Sequence, residues 1–116
     1  MTLVSARQFA PALVLFDRLI ASSPTDLAVY TNALYAVQHD NNGLPPDRER
    51  AQRYVAAATP HAEENTAIYV NLACVHLELG DRAAMQTALD AMKRHKMRYE
   101  LKELLAQPMF VKAKIK

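Results

Sequence analysis

Residues 67–81 read Ala-Ile-Tyr-Val-Asn-Leu-Ala-Cys-Val-His-Leu-Glu-Leu-Gly-Asp. Ile68, Leu72, Val75 and Leu79 recur at intervals of four and three, the period of an α-helix. Tyr69, Ala73 and His76 form a second stripe beside the first. Two adjacent stripes imply burial on two sides, as in a helix inside a stack of helices. Gly80 ends the helix, because a left-handed terminal residue costs glycine least. Asp81 then caps a further helix, in which Met85, Ala88, Leu89 and Met92 face inward. Ala84, Ala88 and Ala91 leave room there for a close neighbour.

Working outward, a short helix carries Leu101, Leu104 and Leu105. Gln107-Pro108 is expected to end it, leaving Met109-Phe110-Val111 as an apolar tag before a lysine-rich tail. Upstream, Asp47 is placed to cap a helix that faces Ala51, Tyr54, Val55 and Ala58 inward and stops at Thr59-Pro60. Before it, residues 39–47 hold Asn-Asn-Gly and Pro-Pro, an extended loop by their turn chemistry. A helix with Leu27, Tyr30, Leu34 and Val37 precedes the loop, capped by Thr25 or Asp26. The first helix has Phe9, Ala12, Leu13, Phe16, Leu19 and Ile20 at helical spacing. Proline belongs in a helix's first turn, so Pro11 sets the expected start near Gln8, and Ser22-Ser23-Pro24 stops the helix.

The chain repeats itself. Ala28-Val-Tyr30-Thr-Asn32 returns 39 positions later as Ala67-Ile-Tyr69-Val-Asn71. Ala51, Val55 and Ala58 return 34 positions later as Met85, Leu89 and Met92. The difference of five falls in the loop at 41–46. A period in the thirties with two helices per unit marks stacked helical hairpins.

These residues resemble the tetratricopeptide repeat. Asn71-Leu72-Ala73, His76 and Leu79-Gly80-Asp81 are similar to the Asn-Leu-Gly, aromatic and Gly-Asp consensus of that family's first helix. Phe9, Ala12, Phe16, Leu19 and Pro24 fall at the spacings of its second helix. Leu104 to Phe110 is similar to the closing segment of many bacterial repeat proteins. Met85 and Met92 depart from the pattern, which prefers alanine there. The resemblance implies one all-α domain, with about six helices paired in antiparallel hairpins and stacked as a short right-handed solenoid. Its parts would be a half repeat at 8–22, a repeat at 25–58 with the loop at 39–47, a repeat at 64–95, and a capping helix with basic tail at 98–116. The half repeat lacks a first helix, yet Val14, Leu15 and Phe16 make helix 8–22 apolar on more than one side. Either the chain belongs to a longer array, or this face holds a partner or a second copy.

The resemblance also implies a concave groove that binds a peptide or helix of another protein. Its lining would be Thr31, Asn32, Tyr35 and Gln38, then Val70, Asn71, Cys74, Leu77 and Glu78. An asparagine amide both donates and accepts, so Asn32 and Asn71 suit an extended backbone; bridging between neighbouring helices suits them equally. Tyr35 is a candidate anchor, offering large contact area at low entropy cost. Thr31 and Tyr35 stand where carboxylate-gripping members of the family need a lysine and an asparagine, so chaperone-tail binding is not expected.

Composition agrees with an all-α reading. The 116 residues include only two glycines, against the many tight turns of an all-β domain. The net charge of +2 divides unevenly. Residues 93–116 hold eight cations and two carboxylates, while the rest holds six cations and ten carboxylates. Lys93, Arg94, Lys96, Arg98 and Lys102 therefore form an alternative surface for nucleic acid or an anionic surface. The plainer reading is a solvated last helix whose cations favour its C-terminal dipole.

Little points to catalysis. His39, His61, His76 and His95 are scattered, and none pairs with another at metal-ligand spacing. Cys74 is the only cysteine, so no internal disulfide forms and no cation nearby in sequence lowers its pKa. Glu63-Glu64 precede a helix, where negative charge favours the N-terminal dipole. No phosphate-cradling glycine loop and no Gly-x-Ser-x-Gly occur. We expect a non-enzymatic, cytoplasmic bacterial protein with no cofactor and no metal, having no signal-peptide core and no apolar run long enough to span a membrane.

Overall fold

The computed structural model describes residues 6–22, 24–38 and 47–115, and side chains from residue 11 onward. Among these residues the protein is all-helical. The elements are α1 (Ala6–Ala21), α2 (Ala28–Val37), α3 (Arg48–Ala58), a 3-10 turn (Thr59–His61), α4 (Ala67–Glu78), α5 (Arg82–Arg94), α6 (Arg98–Leu105) and α7 (Pro108–Lys112). The loop expected at 39–47 lies outside the described residues except for Asp47, as do His39, Gly43 and Lys116. No described helix is long and apolar enough to cross a membrane.

The helix ends follow local chemistry. The Asp47 carboxylate accepts from the Arg50 N–H at 3.0 Å, and the Asp81 carboxylate accepts from the Ala84 N–H at the same distance. Each satisfies an amide that the first turn leaves without a partner. Neither candidate cap before α2 occupies the cap position, which is Leu27, but the Asp26 carboxylate accepts from the Ala28 N–H at the start of the helix. Gly80 adopts φ +80°, the Asp81 N–H reaches back to the His76 carbonyl, and the Gly80 N–H to that of Leu77. This is the glycine-terminated helix end expected from the sequence.

Two prolines qualify the expected helix limits. Helix α1 begins at Ala6, two residues before the expected start, so Pro11 lies inside it. The tertiary contacts of α1 offset the N–H bond that proline cannot make. Pro108 lies beyond the end of α6 at Leu105, as expected, but it also opens a further helix, α7, where a first-turn proline sacrifices no helical hydrogen bond. The apolar tag folds inward with α7, and Phe110 is fully buried.

Helix α4 is the hub. It packs most extensively on α5, and also touches α2, α3 and α6. Helix α2 packs on α1, α3 and α4. Ile68, Leu72 and Val75 of the first stripe of α4 and Ala73 of the second are buried, while Leu79, Tyr69 and His76 are half-buried. One apolar cluster runs from Leu13 and Phe16 in α1 to Leu104 and Phe110 near the end of the chain. Arg82 closes that end by donating to the Ala113 carbonyl, and Ile115 packs on the core.

Candidate partner-binding surface

Each of the two central helices carries one outward stripe. On α2 it is Ala28, Thr31, Asn32 and Tyr35, at spacings of three, one and three. Ala67, Val70 and Asn71 occupy the same register on α4, while Cys74, the counterpart of Tyr35, is buried. The opposite positions, Tyr30, Ala33, Leu34 and Ala36 on α2 and Ile68, Leu72, Ala73 and Val75 on α4, are buried. Because α2 and α4 pack side by side, their outward stripes are neighbours.

Along this strip the candidate residues differ in exposure. Tyr35 is the most open, at 44%. Thr31, Asn32, Val70, Asn71, Leu77 and Glu78 are half-buried. Gln38 and Cys74 are 4% exposed and form the floor rather than the rim. Gln38 Nε2 donates to Asn71 Oδ1 at 3.1 Å, tying α2 to α4. The bridging role weighed for the asparagines is thus the one Asn71 fills with its oxygen. The Thr31 hydroxyl donates to the Ala28 carbonyl at 2.9 Å, so it is spent locally.

The basic residues separate into two groups. Arg94 is paired with Glu63, which also receives the Tyr69 hydroxyl and lies 3.1 Å from His95 Nε2. Tyr69 and His95 stack with ring centroids 5.8 Å apart. The Tyr69 hydroxyl, then His95 and Arg94, hold the Glu63 carboxyl down to about 2. Glu63 therefore serves as the hub of a surface clasp between α4 and the end of α5. Sequence reading missed this clasp, because its members are six and about thirty positions apart and share no periodicity. Lys93, Lys96, Arg98 and Lys102 are exposed and make no ion pair with any described residue.

A second unforeseen cluster holds α1 to α3. Asp17 accepts both from the Arg50 guanidinium, at 3.2 and 3.0 Å, and from the Tyr54 hydroxyl, at 2.7 Å. Burial pushes the Asp17 carboxyl up, but Tyr54, Arg50 and Arg53 together hold it below the ordinary carboxylate value. His61 stacks on Tyr30 at 4.7 Å, and burial holds the His76 imidazole below its ordinary value. No group of His, Cys, Asp and Glu among the described residues is arranged to hold a metal ion. In comparisons with known proteins, no family model, no curated protein and no solved structure matches this chain.

Proposed function

We propose that this chain is a protein–protein interaction module of the tetratricopeptide-repeat kind. Its hairpins α2–α3 and α4–α5 stack as the repeats of a short right-handed solenoid. A segment of another protein, in the cytoplasm of a bacterial cell, binds along the outward stripes of α2 and α4. The observation that carries this reading is the matched register of those stripes, with Tyr35 standing open beside a floor locked by Gln38 and Asn71. A rigid backbone that presents one exposed aromatic over a half-apolar strip matches the anatomy of protein interfaces. The packing order supports the repeat reading: each first helix touches its own second helix and the first helix of the next hairpin.

The test is affinity capture from the source cell's lysate with the wild type and with Tyr35→Ala/Thr31→Arg. Both positions face solvent at least in part, so circular dichroism and melting should be unchanged. Capture of one protein that survives high salt and is lost with the double variant supports the module. Capture that is indifferent to the double variant but abolished by salt moves the working surface to the basic end, since only contacts dominated by charge weaken steeply with ionic strength. That second reading rests on the four unpaired cations Lys93, Lys96, Arg98 and Lys102.

A further inference from the structure

The last helix is attached differently from the others. Gln107 is extended, at φ −67° and ψ 145°, because the residue before a proline is pushed out of the helical region. Helix α6 therefore stops at Leu105 and α7 starts afresh at Pro108, with Ala106 and Gln107 between them. Helix α7 then closes on itself. The Ala113 N–H donates to the Met109 carbonyl, that of Lys114 to Val111, and that of Ile115 to Phe110. Residues 108–115 thus satisfy their backbone internally and can shift as one piece without breaking those bonds.

What holds this piece to the stack is narrow. Phe110 is its one fully buried side chain; Met109, Ala113 and Ile115 are half-buried, and Val111 is 61% exposed. Helix α7 packs chiefly on α6. Among the described residues, its hydrogen-bonded tie to α5 is Arg82, which donates to the Ala113 carbonyl at 3.3 Å. Beside that tie the contact is open. A cleft of about 270 Å³ lies between Lys114 and Ile115 on one side and Arg82, Met85 and Gln86 of α5 on the other. Well-packed interiors leave few voids larger than a water molecule, so this end of the piece rests on α5 without close packing.

An element held by one apolar anchor and one exposed bond opens far more often than the core it covers. We infer that residues 108–115 are a strap, hinged at Ala106 and Gln107, that opens while the other helices stay folded. The socket vacated by Phe110 is then a docking site for a segment of the strap's own chemistry: a proline, an aromatic residue two positions on, and an aliphatic residue five beyond that. This occupant is read from the segment seated there, Pro108, Phe110 and Ile115. No other proline of the chain has an aromatic residue two positions on. A segment tied in cis acts at an effective concentration in roughly the millimolar range, so the strap excludes an outside segment until it is loosened.

The test is amide hydrogen exchange on the full chain, followed by titration with a fluorescein-labelled peptide copying residues 106–116. Wild-type amides of the strap should exchange at least about tenfold faster than those of Leu72 to Val75 in α4. Arg82→Ala, at an exposed position, should speed the strap about threefold and leave α4 unchanged. Phe110→Ala should speed it about tenfold or more, again without change in α4. The peptide should bind the Phe110→Ala chain at least about tenfold more tightly than wild type, whose own strap competes. A peptide carrying Phe110→Ala should bind neither. Equal protection of strap and α4, or unfolding of the whole chain in Phe110→Ala, would overturn the strap by showing the segment to be part of the core. Strap amides freed in Phe110→Ala with no peptide bound would overturn the docking site. Equal binding to wild type and Phe110→Ala would place the peptide elsewhere and overturn it too.

Discussion

The Tyr54 hydroxyl of α3 stands 2.7 Å from Asp17 Oδ1 and 2.9 Å from the Leu13 carbonyl, both on α1. Tyr54 is 1% exposed, so this contact joins the two helices at the edge of the core. Among the described residues Leu13 and Phe16 are the buried side chains of α1, which packs chiefly on α2, and the polar contact adds a tie to α3. Tyr54→Phe keeps the ring and removes the single O–H donor that the two acceptors share. Urea unfolding should show a loss of about 1–2 kcal/mol. Asp17→Asn should weaken the attachment as well, since it removes the charge that Arg50 and Arg53 face.

The same cluster gives stability a pH dependence. The folded Asp17 carboxyl lies below its ordinary value, so its contribution is complete above about pH 4, the unfolded value. It is lost as pH falls through the folded value. Melting temperature should therefore decline below about pH 4 in the wild type, and decline less in Asp17→Asn. An equal decline in both proteins would mean that Asp17 does not link folding to protonation.

Glu63 offers a direct check on the surface clasp. Its carboxyl should titrate near 2 by NMR. The Tyr69 hydroxyl is the largest cause of that depression, ahead of His95 and Arg94. Tyr69→Phe should raise the midpoint toward the ordinary carboxylate range, and Arg94→Gln should raise it less. A midpoint insensitive to Tyr69→Phe would show that the clasp does not form in solution.

The Gln38–Asn71 bond should behave as a coupled pair. Gln38→Ala and Asn71→Ala should each cost about 1 kcal/mol, and the double variant less than their sum. The cycle isolates a contact between α2 and α4 whose partners are 33 positions apart. Additive losses would mean that the two amides act separately.

Two helix ends predict changes of opposite sign. Gly80 has φ +80° with nothing within 4 Å of an added Cβ, so Gly80→Ala meets no clash but does meet backbone strain. It should destabilise by about 1 kcal/mol. Lys96 occupies the left-handed region at φ 59°, just beyond the end of α5. Lys96→Gly should stabilise by up to about 1 kcal/mol, because glycine relieves that strain. Thermal melts of the two variants should move in opposite directions.

Much of the architecture is written locally. The stripes of α4, the caps Asp47 and Asp81, and the stop at Gly80 each need only neighbours within one or two turns, and all are where their residue types place them. The candidate lining of Thr31, Asn32, Tyr35, Val70 and Asn71 is what the family resemblance implies, since helical spacing groups residues into faces without saying which face meets a partner. The depth of each residue was not legible. Gln38 and Cys74 are buried because α2 and α4 approach closely there, and helical periodicity says nothing of how near a neighbouring helix stands.

Pro11 and Pro108 show the same boundary from the other side. Local rules place a proline at a helix start or stop, which α7 obeys and α1 overrides once Leu13, Phe16 and Asp17 are held by α3 and the core. The sequence by itself determined an all-helical chain and most of its helix limits, because hydrogen bonding and capping act over a few residues. Tertiary structure alone decided which charges are spent and which are open. Arg94 and Lys102 look equivalent in the basic run, yet the first is paired by a carboxylate 31 positions upstream and the second faces solvent. Coulomb pairing depends on distance in space, and only the packing of α4 on α5 brings Glu63 within reach of Arg94.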